Sequence, residues 1–117
     1  MPSYKIYEDE KVYAFLDIHP LTRGHTLIVP KVEIDYFADL PTEYAQALML
    51  AAQKIAPALD TAMQYKRTQM IIAGWDVPHC HIHLVPSESI ADIRKAETLE
   101  LSNEEMLAIQ SRIVNVL

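Results

Sequence analysis

The chain has 117 residues, half of them apolar and 22% charged, which fits one compact domain whose core can withdraw roughly two-thirds of the unfolded surface from water. Ten Lys and Arg against sixteen Asp and Glu leave a net charge of -6 with no basic window, so nucleic acid and anionic membrane surfaces are excluded as expected partners and small ligands remain. A single cysteine, Cys80, excludes an internal disulfide, and no stretch resembles a secretory signal or a membrane span, so the cytoplasm is the expected location.

In chain order, Lys11 to Asp17 alternates Val12, Ala14 and Leu16 with Tyr13 and Phe15, the pattern of a strand. His19 to Gly24 supplies turn residues, and His25 to Pro30 reads as a second strand that pairs with the first in a hairpin. From Pro41 the period changes. Tyr44, Ala47, Leu48, Ala51, Ile55, Ala58, Leu59 and Ala62 form the apolar stripe of a long helix, with a kink or break expected at Pro57. Gln69 to Ala73 and Cys80 to Val85 are the next two strands. Ser102 and Glu105 then form a capping box ahead of a C-terminal helix carrying Met106, Ile109, Ile113 and Val116. The expected fold class is α+β: an antiparallel sheet of about five strands with one long helix and a C-terminal helix.

The densest chemical signal is His79-Cys80-His81-Ile82-His83-Leu84-Val85. In an extended segment alternate side chains share a face, so His79, His81 and His83 line one surface while Cys80, Ile82 and Leu84 point into the core. The strand rise separates neighbouring histidines by about 6.6 to 7 Å, which predicts no direct contact between rings and a grip on one ligand several atoms long. Near neutral pH an imidazole is available in the uncharged form that attacks an electrophile, and protonated neighbours clamp phosphate oxygens. Core packing accounts poorly for three titratable groups on one face. A metal site on His79 and His81, completed by His83 or His25, is the rival reading. Cys80 as nucleophile is disfavoured because alternation turns it to the buried face.

The segment His79 to Val85 resembles the signature of the histidine triad (HIT) family of nucleotide hydrolases and transferases. Phe15-Leu16-Asp17-Ile18-His19-Pro20 and Gly24-His25-Thr26-Leu27-Ile28-Val29-Pro30-Lys31 resemble the family's nucleoside-binding strand and its successor, in the same order. The resemblance runs from about Pro2 to Pro86, which makes residues 87–117 a C-terminal extension of a single domain. It implies that His81 attacks the α-phosphorus of a nucleoside phosphoramidate, dinucleoside polyphosphate or nucleotide ester, giving a nucleotidyl-histidine that water hydrolyses. It further implies that His79 and His83 hold phosphate oxygens and assist proton transfer, that His25 supports them, and that Asp17 accepts from ribose hydroxyls. Phe15, Leu16 and Ile18 are then part of a slot for a base, a purine by preference. A homodimer is implied as well, and no cofactor.

Three departures from the family pattern stand out. Ala73-Gly74-Trp75-Asp76-Val77-Pro78 replaces the usual amide and hydroxyl contacts to phosphate, so the carboxylate of Asp76 needs a proton or a partner beside a bound anion. Pro2 to Asp9 resembles a stretch that normally follows an N-terminal segment walling the base pocket, from which weak base selectivity is expected. The cysteines and histidine of a structural zinc site are absent together, so no metal is expected. Besides the enzyme, two readings remain: a nucleotide-binding module with little turnover, and a metallohydrolase.

Overall fold

A computed structural model describes residues 3–75 and 77–117. Five strands, β1 (Lys5–Glu8), β2 (Val12–Leu16), β3 (Thr26–Pro30), β4 (Arg67–Ile71) and β5 (Ile82–Ser87), form one sheet in the order β1-β2-β3-β5-β4. Every neighbouring pair is antiparallel. Two helices complete the fold, α1 (Thr42–Met63) and α2 (Asn103–Val116), so the expected α+β class with a long helix and a C-terminal helix holds.

The β2–β3 hairpin forms as its alternation predicts, with Val12 opposite Pro30 and Leu16 opposite Thr26. Val12, Ala14, Leu16, Ile28, Ile82 and Leu84 turn to one face and meet Leu48, Ile55 and Leu59 of α1 and Met106, Ile109 and Ile113 of α2 in a single core. The segment expected as an extension thus contributes three core side chains, and α2 packs on α1 and β1. Its capping box forms as expected: Ser102 Oγ accepts from the Glu105 N–H at 3.1 Å and Glu105 Oε1 accepts from the Ser102 N–H at 3.0 Å.

Of the kink or break expected at Pro57, the break does not occur, since α1 runs on through it to Met63. Pro57 and Gln53 both lie on the exposed face, where the carbonyl of Gln53, which loses its helical bond to the proline, is open to solvent. The fifth strand, β1, is a segment for which the sequence pattern predicts nothing. It has four residues, of which only Ile6 is buried, too short a run to show a period.

β5 also begins later than expected, at Ile82 and not Cys80. Its ladder to β3 ends at the Ile28–Ile82 pair. Pro30 has no N–H to continue it, and the Cys80 N–H donates instead to the carbonyl of Ile34 at 2.7 Å. Of the three histidines only His83 stands in the strand, with His79 and His81 on the bend that leads into it. Among the described residues no helix is long and apolar enough to cross a membrane.

Candidate active site

The turn from β2 to β3 sets the first two groups. Asp17 closes the hairpin by donating its N–H to the carbonyl of His25 at 2.9 Å, and its Oδ1 accepts from the His19 N–H at 2.8 Å. Gly24 has φ of +90°, and a Cβ there would stand 2.8 Å from Cγ of Met63, so only glycine fits this bend. The hydroxyl of Thr22 ties the turn to β5 by donating to the carbonyl of Pro86 at 2.7 Å. His25 is thereby sunk into the protein with 3% of its surface exposed.

Hydrogen-bond directions then propagate ring by ring. The Leu21 N–H lies 3.0 Å from His25 Nδ1. An amide N–H only donates, so Nδ1 is an acceptor and the proton of His25 sits on Nε2. Nε2 is 3.0 Å from His83 Nδ1, which accepts in turn and leaves the proton of His83 on Nε2. Burial pushes the His25 pKa down to about 4 against the opposing pull of Asp17, whose Oδ2 is 3.6 Å from His25 Nε2. Burial and the neighbouring His81 lower that of His83. Both shifts agree with neutral rings in the assigned tautomers.

His81 is set from its own chain. Its Nδ1 lies 2.9 Å from the carbonyl of His79, and a carbonyl only accepts, so Nδ1 carries the proton and Nε2 carries the lone pair. The His81 ring meets His83 edge-on, centroids 4.9 Å apart, and His83 meets His25 at 5.2 Å. The expectation of rings too far apart for contact is therefore corrected. The strand rise separates Cα atoms, whereas His81 stands outside the ladder and its ring leans onto that of His83.

His79 stands apart from this row. Its Nε2–H donates to the carbonyl of Pro30 at 2.9 Å, so one of its two nitrogens is spent on the end of β3. Cys80 is buried as expected, and burial and the charge of Asp35 push its thiol pKa up, away from the reactive thiolate. The members of the expected base slot separate. Phe15 is half-buried on the open face, its ring 5.5 Å from that of Tyr13. It shares that face with His83 through Leu27, which is paired to both. Ile18 is half exposed beyond the strand end. Leu16 does not join them: alternation turns it to the core, where 2% of it is exposed. Asp76 lies outside the described residues.

Among the described residues the ligand atoms of Asp17, His25 and His83 fall within 4.8 Å of one another, close enough for a metal ion. This trio differs from the one the metal reading expects, since neither His79 nor His81 belongs to it. The Leu21 N–H holds the His25 proton on Nε2, where a ligand would need a lone pair, so the trio fits a hydrogen-bonded relay better than a metal.

Two features escaped sequence reasoning. One is the Leu21 amide, a backbone group without a residue signature. The other is a cavity of about 360 Å³ beside His81, with Tyr36, Phe37, Ile72 and Trp75 in its walls. A larger, shallower groove of about 960 Å³ runs between β1 and α2 and contains no histidine.

The HIT domain profile matches residues 1–90 of the chain. Over 88 residues, 74% of the chain, it is 40% identical to an adenosine 5'-monophosphoramidase of Saccharomyces cerevisiae, of which it spans 55%. A Hit-like protein of Bartonella henselae superposes on 100% of the chain and 88% of its own length with a TM-score of 0.86 and 30% identity. A zinc-bound histidine triad family protein of Mycobacterium smegmatis covers 99% of the chain and 87% of itself, with a TM-score of 0.81 and 28% identity.

Proposed function

The chain belongs to the HIT family, and from that premise we propose that it is a nucleotide hydrolase or nucleotidyl transferase that cleaves at the α-phosphate through a covalent intermediate on His81. The observation that carries this reading is the 2.9 Å bond from His81 Nδ1–H to the carbonyl of His79, which leaves the lone pair on Nε2. In the first step Nε2 attacks the α-phosphorus and a P–N bond forms. The bond from phosphorus to the leaving nitrogen or oxygen breaks with its electron pair, and the leaving atom takes a proton from solvent. The His79 carbonyl stabilises the positive charge that the ring then carries. In the second step water attacks phosphorus, the P–N bond breaks, a proton goes to solvent, and neutral His81 and a nucleoside monophosphate are released.

The remaining groups divide the supporting work. His83, its Nδ1 occupied by His25, offers Nε2–H to a non-bridging phosphate oxygen. His25 positions His83 and touches no substrate. His79, once its ring takes a second proton on Nδ1, donates that N–H to a phosphate oxygen, while Asp17, an acceptor-only carboxylate when ionised, takes ribose hydroxyls with its Oδ2. Phe15 and Ile18 flank the base. The substrate class is a nucleoside phosphoramidate or dinucleoside polyphosphate, a reading supported by the monophosphoramidase relative. No metal or cofactor takes part, and the protein works in the cytoplasm with no nucleic-acid or membrane partner. It acts as a homodimer, for which the unpaired outer edge of β4 and the exposed Met49 and Leu50 on α1 supply surface.

Turnover of adenosine 5'-phosphoramidate tests the enzyme reading. The natural chain should release adenosine monophosphate in the presence of chelator, and His81→Ala should release at least 1,000-fold less, on the order expected for loss of a nucleophile. Turnover by His81→Ala at the natural rate contradicts the reading.

A further inference from the structure

The cavity beside His81 belongs to none of the roles assigned so far, and its place in the sheet is informative. Asp17 follows β2, whereas Ile72 and Trp75 follow β4, and β5, which carries His83, lies between those two strands in the sheet. Register makes this concrete: His83 of β5 is paired with Leu27 of β3 on one side and Ile71 of β4 on the other. Two places for a ligand therefore flank the reactive row.

The far place is built for something other than phosphate. Tyr36, Phe37, Ile72 and Trp75 line it, and 93% of the surface of Trp75 is exposed. Gly74 leaves open space where a Cβ would stand. Among the described residues the one acidic group in its wall, Asp35, repels a second phosphate chain. A volume of about 360 Å³ suits an aryl or branched alkyl group.

We infer that this cavity receives the leaving group, and that the preferred substrates are nucleoside monophosphates bearing an apolar or aromatic amine or alcohol, ahead of dinucleoside polyphosphates. The inference rests on the reading of His81 as nucleophile at the α-phosphate. With ribose at Asp17 and phosphorus at His81, the remaining substituent of phosphorus points toward Phe37 and Trp75. The attacked bond is the one in the proposed function, so no further reactant is required.

Trp75 is the only tryptophan of the chain and reports directly on occupancy. The full chain and its His81→Asn variant are titrated with the phenethylamide and the methylamide of adenosine monophosphate and with adenosine monophosphate itself, following tryptophan emission and affinity. Diadenosine triphosphate is compared as a substrate of the natural chain. The phenethylamide is expected to bind at least about ten-fold more tightly than the methylamide, from the apolar area that its ring buries. It should shift Trp75 emission to shorter wavelength, and Phe37→Ser and Ile72→Ser should each bring the affinity ratio to within about two-fold of one. Diadenosine triphosphate should be the poorer substrate.

Equal affinities for the two amides, or an emission shift produced as fully by adenosine monophosphate alone, overturns the inference. Nucleotidyl transfer to His81 with no affinity difference would leave the enzyme reading standing and remove the cavity from it. A retained difference with no transfer would keep the cavity as a binding site and remove the reaction.

Discussion

His25 illustrates how much of this site is decided by where single protons sit. Its Nδ1 accepts from the Leu21 N–H, so Nε2 must donate to His83, and the same constraint opposes charging the ring. With the folded pKa near 4 against an ordinary 6.5, the unfolded chain binds a proton between those values that the folded chain does not. Stability is therefore full above about pH 6.5 and falls as the pH drops toward 4, by at most about 3 kcal/mol from this group. Urea denaturation at stepped pH should show that slope in the natural chain and a flatter one in His25→Gln. An unchanged slope contradicts the buried neutral ring. In the same variant His83 loses its fixed acceptor role, and the nucleotidyl-transfer rate should fall about 10- to 100-fold, in the range that follows loss of an orienting partner. The row of histidines itself was legible in the residues. Its proton directions were not, because they come from Leu21 and from the His79 carbonyl, backbone groups that any sequence possesses. Leu16 misled for a related reason: it adjoins Asp17 in the chain, but pleating turns it to the core.

At the scale of elements, local signals were read correctly wherever they repeat over enough residues. The hairpin showed through five residues of alternation on β2, and α2 through a capping box followed by apolar residues at helical spacing. β1 has four residues with one buried and offers no such repeat. The start of β5 depended on a partner strand: Pro30 ends the ladder from across the sheet, which alternation within His79–Val85 cannot reveal. Tyr36 and Phe37 sit in a connection without period and gave no hint that they border a cavity. Two substitutions test the elements. Ser102→Ala removes the cap of α2, whose buried side chains belong to the core, and should cost about 1 kcal/mol in a denaturation curve. Gly24→Ala forces a Cβ into a φ of +90° and against Met63, and should cost about 1 to 3 kcal/mol. It should also lower activity by more than the lost stability explains, because Gly24 places His25. Retention of full stability and activity contradicts the role given to that bend.

The whole molecule is a sheet with its helices on one face and His81 and His83 on the other, and the core is continuous from β1 through α1 to α2. That division keeps the histidines accessible while burial beneath them sets the pKa values of His25 and His83. The exposed outer face of α1 and the free edge of β4 are where a second copy would pair. Small-angle scattering should give twice the mass of one chain, and a single-chain mass contradicts the dimer. The central claim concerns His81 Nε2. Rapid acid-free quenching of a reaction with isotopically labelled adenosine 5'-phosphoramidate, followed by peptide mass mapping, should place one adenylyl group on His81, released by acid and by neutral water at the turnover rate. Label on another residue, or turnover with no bound nucleotide at any time, contradicts the account.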